Sequence, residues 1–234
     1  MRKILLLIFS VIIFGCDSDI NEEAEDSLVQ SSYSAEYENC IVNDEWLKKE
    51  YDHDLDYKNS DVKTDFFLLV YSNSPSFCNY MKGKDRLKDV PFQCLSPNKF
   101  GWVIHGLWGE SRTAYIQGEK DKHPRFCKGD LPQLNLNTIK PYLCMSPGTS
   151  LLQGEWEKHG ACDFDTANEY FDKTLELYER FLFPPAELRV KMAMKWMKEN
   201  NPELENKRLH LTSHEFGICL TTGFEVMSCP NNTN

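Results

Sequence analysis

Side chains able to move a proton are concentrated in Gly101-Trp102-Val103-Ile104-His105-Gly106-Leu107-Trp108 and Glu155-Trp156-Glu157-Lys158-His159-Gly160-Ala161-Cys162. On a helix, Glu155, Lys158 and His159 stand at i, i+3 and i+4, so an anion, a cation and an imidazole share one face. A histidine with an ordinary pKa of ~6.5 accepts or donates a proton near neutrality. Two of them on opposite sides of a phosphate make a general acid and a general base. Taken singly, each stretch has a plainer explanation. A His-Gly pair is more often structural, and Glu-Lys-His on a helix is usually a solvated face. Only the two together are specific. The other histidines, His53, His123, His210 and His214, read as surface or structural groups.

These residues need a scaffold. Asp65-Phe66-Phe67-Leu68-Leu69-Val70-Tyr71 is an apolar, β-prone run, expected to be a buried strand entering a turn at Ser72-Asn73-Ser74-Pro75. Phe100 to Ile104 reads as a second strand that delivers His105 at its end. Thr166 with Glu169 has the spacing of a capping box, and Tyr170, Phe171, Leu175, Tyr178, Phe181 and Leu182 follow at helical period. Pro184-Pro185 should stop that helix and start another, with Leu188, Met192 and Trp196 on its apolar face. Segments 214–220 and 224–227 flank Thr221-Thr222-Gly223 as a hairpin. Strands and helices mixed around one core imply an α+β domain.

Composition and charge narrow the class. A hydrophobic content of 41% with 12% aromatics supports a packed core. The formal charge is −10, but residues 17–61 hold 15 acidic groups against three lysines, leaving residues 62–234 balanced at zero. The acidic stretch 16–61 is expected to be a solvated tether and 62–234 the working domain. That domain lacks the broad basic stripe of a tight nucleic-acid binder, so any contact with a nucleic acid would be local and transient.

Met1-Arg2-Lys3 ahead of the apolar run Ile4–Phe14 reads as a signal peptide over residues 1–15, too short to span a bilayer comfortably. Ile13-Phe14-Gly15-Cys16 is similar to a bacterial lipobox, which would make Cys16 the lipidated mature N-terminus and a membrane anchor. A plain secretory signal is the alternative, and both imply export. Setting Cys16 aside leaves eight cysteines, an even number that suggests four disulfides in an oxidising compartment. Without a close Cys-x-x-Cys pair, a zinc site is not expected.

The two histidine stretches resemble the paired active-site motifs of the T2 family of ribonucleases, roughly W-x-I-H-G-L-W-P and H-E-W-x-K-H-G-T-C. Ser74-Pro75-Ser76-Phe77-Cys78 and the terminal Ile218-Cys219 through Cys229-Pro230 are similar to the family's first strand exit and closing hairpin. The resemblance covers about residues 62–230 and implies a central antiparallel sheet flanked by helices.

It also implies a mechanism. His159 would take the proton from a ribose 2′-hydroxyl and His105 would protonate the departing 5′-oxygen. Lys158 and Glu155 would stabilise the crowded phosphorane, with Trp108 lining the site against the substrate. No metal, cofactor, protein nucleophile or obligate protein partner is implied, and DNA, which lacks the 2′-hydroxyl, should not be cut. Which aromatic side chains stack the flanking bases is open.

Three positions depart from the motifs: Gly154 stands where the family has a phosphate-binding histidine, Gly109 where proline is usual, and Asn73 where tryptophan is frequent. Gly154 keeps open a catalytically weakened RNA-binding relative. A disulfide-rich surface lipoprotein with structural histidines is the rival from another class. The resemblance supports the disulfides Cys127–Cys162 and Cys219–Cys229. Cys78–Cys94 follows from nearness in sequence, and Cys40–Cys144 is left by elimination.

Overall fold

In the computed structural model, residues 39–52 and 58–231 are described; the candidate leader, Cys16 and His53 lie outside them. The first strand, β1 (Phe66–Asn73), is buried along nearly its whole length on both faces, which is why it reads as a continuous apolar run rather than an alternation. Fully burying a side chain such as Leu69 or Phe66 is worth roughly 1.5–3 kcal/mol. The partners of β1 are β2 (Trp102–Glu110) on one side and β4 (Glu215–Leu220) on the other. Strand β3 (His210–Leu211) adds to the far edge of β4, and β5 (Val226–Met227) also pairs with β4. Every pairing is antiparallel, and the order along the sheet is β2-β1-β4-β3.

The sheet separates two apolar clusters. Phe67, Leu69, Tyr71, Ile104, Leu107, Phe216 and Ile218 face the larger core, while Phe66, Leu68 and Val70 face a smaller one with Tyr115 and the Cys219–Cys229 bridge. Helices close the larger core. Helix α1 (Ser74–Gly83) leaves the end of β1, α2 (Thr149–Glu155) leads into the second motif, α3 (Ala167–Glu179) begins with the Thr166/Glu169 capping box, and α4 (Val190–Asn200) follows. The disulfides are Cys40–Cys144, Cys78–Cys94, Cys127–Cys162 and Cys219–Cys229.

Several expectations are corrected. The turn at Ser74-Pro75 is the first turn of α1: Asn73 accepts from Ser76 N at 2.9 Å as its cap and donates to Ala186 O at 2.8 Å. Proline fits there because the first helical amides have no partner within the helix. Asn73 thus ties two elements where a tryptophan could not. Pro184-Pro185 ends α3's extension, but α4 begins five residues later, and it buries Ala193 and Met197 while Met192 is exposed. Its inward stripe is set by how the helix docks, which spacing alone does not fix.

The stretch 39–52 is not a solvated spacer. Leu47 and Tyr51 are buried in the larger core, Tyr51 OH donates to Leu134 O at 2.6 Å, and Cys40 is bonded to Cys144. Its acidity misleads because the carboxylates face outward or find partners, as Asp44 does with Lys140 at 2.7 Å, while the sparse apolar residues are inserted.

Candidate active site

His105 does not end β2; the strand runs five residues beyond it. The register explains how the ring reaches the surface. Val70 pairs with Gly106 and Tyr71 with Ile104, so His105 is the extra residue of a β-bulge. Ile104 and Leu107 both face the core, leaving His105 and Gly106 together on the other side. His105 and Trp108 are the half-exposed positions of a strand otherwise buried.

The second motif is carried by an irregular helix. After α2, Trp156–Gly160 forms a single π-helical turn, a widening that recurs at functional sites. The turn is held from behind. Phe126 N donates to Lys158 O at 3.0 Å, and Cys162, just after it, is bonded to Cys127. A bridge closing 35 residues is worth about 3–4 kcal/mol in a chain-entropy account. Gly160 is required by packing, since a Cβ there would lie 2.6 Å from the Tyr170 ring. Tyr170 in turn hydrogen-bonds Leu107 N and O across to β2, so α3 locks the two motifs together.

Where they meet, Glu155 is central. Its Oε2 accepts from Trp108 Nε1 at 2.7 Å and lies 3.9 Å from His159 Nε2, while Oε1 lies 3.5 Å from His105 Nε2. One buried carboxyl therefore stands between the Nε2 atoms of both rings. Trp108 also bridges them, stacked on His159 (5.1 Å, 13°) and edge-on to His105 (5.1 Å, 79°). Gly106 leaves room for this arrangement, because a Cβ there would fall 1.8 Å from Glu155 Oε2. Lys158 is half-buried beside the group and close enough to act on His105, His159 and Glu155. His105, His159, Glu155, Lys158 and Trp108 are thus brought together, whereas His210 pairs with Tyr115 elsewhere and His214 is exposed.

The two imidazoles differ electrostatically. His159 is 2% exposed, and neither ring nitrogen has a hydrogen-bond partner among the described residues. Burial, then the charges of Arg125 and Lys158, hold its pKa well below the ordinary value. Desolvation also pulls on His105, but the hydrogen bond with Glu215 and the charges of Glu155 and Glu215 outweigh it, with Lys158 opposing, and its pKa is raised. Burial raises the Glu155 carboxyl despite His105 and Trp108.

Sequence reasoning missed two contributors. Glu215, on β4, approaches His105 Nδ1 to 2.5 Å. Arg125 is buried behind His159, held by Glu110 at 2.7 Å and by the carbonyl of Gly109. His123 completes that group, 2.5 Å from Glu110, and is buried and structural. Gly109, where the motif usually has proline, is hemmed in by Thr64 Oγ1 and Asp163 Oδ2, at 2.4 and 2.5 Å from a Cβ placed there. Gly154 lies half-buried on α2. Among the described residues no group of three or more His, Cys, Asp or Glu side chains is arranged to hold a metal ion.

An antiparallel sheet backed by helices defines an α+β protein, and this one presents two histidines around a buried carboxyl. The ribonuclease T2 family model matches residues 64–201, and the chain belongs to that family. A protein of Haemophilus influenzae described as a probable ribonuclease is 42% identical over 175 residues, covering 74% of this chain; the chain spans 63% of that relative's length. Ribonuclease Oy of Magallana gigas is 29% identical over 173 residues, covering 58% of this chain and 78% of its own. Trichomaglin, a solved structure described as a novel S-like ribonuclease, shares the fold with a TM-score of 0.52 at 18% identity, over 72% of this chain and 93% of its own.

Proposed function

We propose that this protein is an endoribonuclease that cleaves single-stranded RNA by attack of the substrate's own 2′-hydroxyl. The observation that carries the reading is the convergence of two imidazoles on one buried carboxyl, Glu155 lying 3.5 Å from His105 Nε2 and 3.9 Å from His159 Nε2. A pair of like groups whose surroundings push their pKa values apart are the acid and the base. His159, kept neutral, takes the 2′-hydroxyl proton as the oxygen attacks phosphorus. His105, whose carboxylate neighbours favour its protonated form, gives its Nε2 proton to the 5′-oxygen as the P–O5′ bond breaks. The products are a 2′,3′-cyclic phosphate and a 5′-hydroxyl. Hydrolysis of the cycle to a 3′-phosphate runs the proton transfers in reverse.

Lys158 meets the charge that builds on the non-bridging oxygens, and Glu155, held by Trp108, keeps the two rings in place. With Gly154 in place of a phosphate-binding histidine, more of the phosphate charge falls to Lys158. The Trp108 indole covers His159 here, so a bound ribose has to displace it to reach Nε2. An open cleft beside His105, lined by Trp46, Phe77 and Leu151, offers apolar and aromatic surface to a flanking base. Four disulfides fit an oxidising compartment, and we propose export, with the Cys16 thiol as a candidate lipid anchor.

The test is digestion of single-stranded RNA by the oxidised protein in EDTA, with end-group analysis of the products. Cyclic phosphate that disappears with His159→Ala supports the proposal. RNA binding without cleavage, or 5′-phosphate ends, would overturn it.

A further inference from the structure

We infer that Glu215 is a positioning residue for His105: a carboxylate reaching across the sheet that fixes the tautomer and direction of the ring, so that the transferable proton sits on Nε2. This rests on the ribonuclease reading of the site.

The geometry is specific. A carboxylate only accepts, so the 2.5 Å contact to Glu215 Oε1 requires the hydrogen of His105 to be on Nδ1. The neutral ring is then open at Nε2, and the protonated ring carries its second hydrogen there, on the side of Glu155. Which nitrogen works is decided by the bond the other makes. Glu215 comes from β4, two strands from β2, and stands opposite Ser72 of the intervening β1. Ser72, Glu215 and His105 all line the same cleft, and a small residue between them lets the two side chains meet. Glu215 is itself anchored, its backbone N–H donating to Thr212 Oγ1 at 3.0 Å and its carbonyl accepting from Thr212 N at 2.9 Å. The charged groups around His105 are Glu215 from β4, Glu155 and Lys158 from the helical motif, and, along the cleft, Lys48 and Asp89. Glu215 is the one bonded to Nδ1.

A residue that acts through the general acid betrays itself by the leaving group. Glu215→Gln and Glu215→Ala, with His105→Ala as reference, are compared on a dinucleoside 3′,5′-phosphate and on a nucleoside 3′-(4-nitrophenyl) phosphate, whose phenolate departs without a proton. Glu215→Ala should lose about 10–100-fold on the dinucleotide and stay within about threefold of the native protein on the aryl ester. Glu215→Gln keeps an acceptor but not the charge. It should lose about tenfold, with the alkaline limb of kcat/KM moved to lower pH. Equal losses on both substrates, or a dinucleotide rate and alkaline limb like those of the native protein, overturn the assignment while leaving the reading of His105 intact. If His105→Ala fails to separate the two substrates, the reading of His105 as the acid fails, and the role of Glu215 with it.

Discussion

The site is made of two halves that carry the same side chain on different supports. The strand half presents His105 from a bulge, half-exposed, bonded to Glu215 and facing an open cleft. The helix half holds His159 in a π-helical turn, sealed under Trp108, with no hydrogen bond to its ring, where burial and the charges of Arg125 and Lys158 act on it. Burial lowers both rings, but at His105 the carboxylates outweigh it, whereas at His159 cations add to it, so identical imidazoles move in opposite directions. On the proposed reading, the division of labour between acid and base follows from where the backbone places each ring.

The largest expected effect tests whether the halves act as one. His105→Ala and His159→Ala should each lower kcat/KM by ~10²–10⁴-fold, and the double variant by little more than the worse single one, because both protons move in one reaction. Losses that multiply in steady-state assays of the three variants would break the idea of a shared phosphate. His214→Ala, at an exposed position, should be within about twofold of the native protein. The native kcat/KM profile should be a broad bell. Its acidic limb, from His159, lies below the ordinary imidazole value and its alkaline limb, from His105, above it.

A pair of glycines sharpens the comparison further. Gly106 and Gly217 flank the same residue, Val70, from opposite strands. A Cβ on Gly106 would strike the Glu155 carboxylate at 1.8 Å, whereas one on Gly217 would meet the flexible end of Leu68 at 2.8 Å. Gly106→Ala pushes the helix half away from the strand half and should cost about 10²-fold in kcat/KM with a modest change in melting temperature. Gly217→Ala should show the reverse, about 1 kcal/mol in stability and a retained rate. Comparable rates for the two variants would remove Glu155's place between the rings.

The sequence was legible where the signal is local. The apolar run of β1, the capping box of α3, the closing hairpin and the two motifs all depend on residues close to one another in the chain. Long-range choices were not. Nothing near His105 announces a bulge, which is a matter of register against β1. Glu215 reads as a solvated charge at the head of an apolar strand until β4 is paired two places from β2. The stretch 39–52 looks like spacer by charge, yet Cys40 could pair with Cys144 only if that stretch lay on the domain. Arg125 gave no signal, because a buried cation is defined by Glu110 and by the carbonyls around it.

The smallest effect concerns how the helix half is fastened. Glu157, in the same π-helical turn as His159, is buried, bonded to Gln153 and close to Asp52 of the stretch 39–52. Burial first, and Asp52 with Asp130 besides, push its carboxyl up to about 7, against the opposing bond from Gln153. A raised acid stabilises the fold in its neutral form. That stabilisation is complete below the unfolded value near 4.5 and is lost as pH rises through 7. The native protein should lose on the order of 2 kcal/mol from this group between pH 5 and pH 8. Glu157→Gln is neutral throughout, so denaturant titrations should show its stability gaining on the native protein over that interval. Parallel curves for the two proteins would mean that Glu157 is charged in its buried position and that the clasp between the helix half and residues 39–52 does not titrate. The alkaline limb set by His105 should not move.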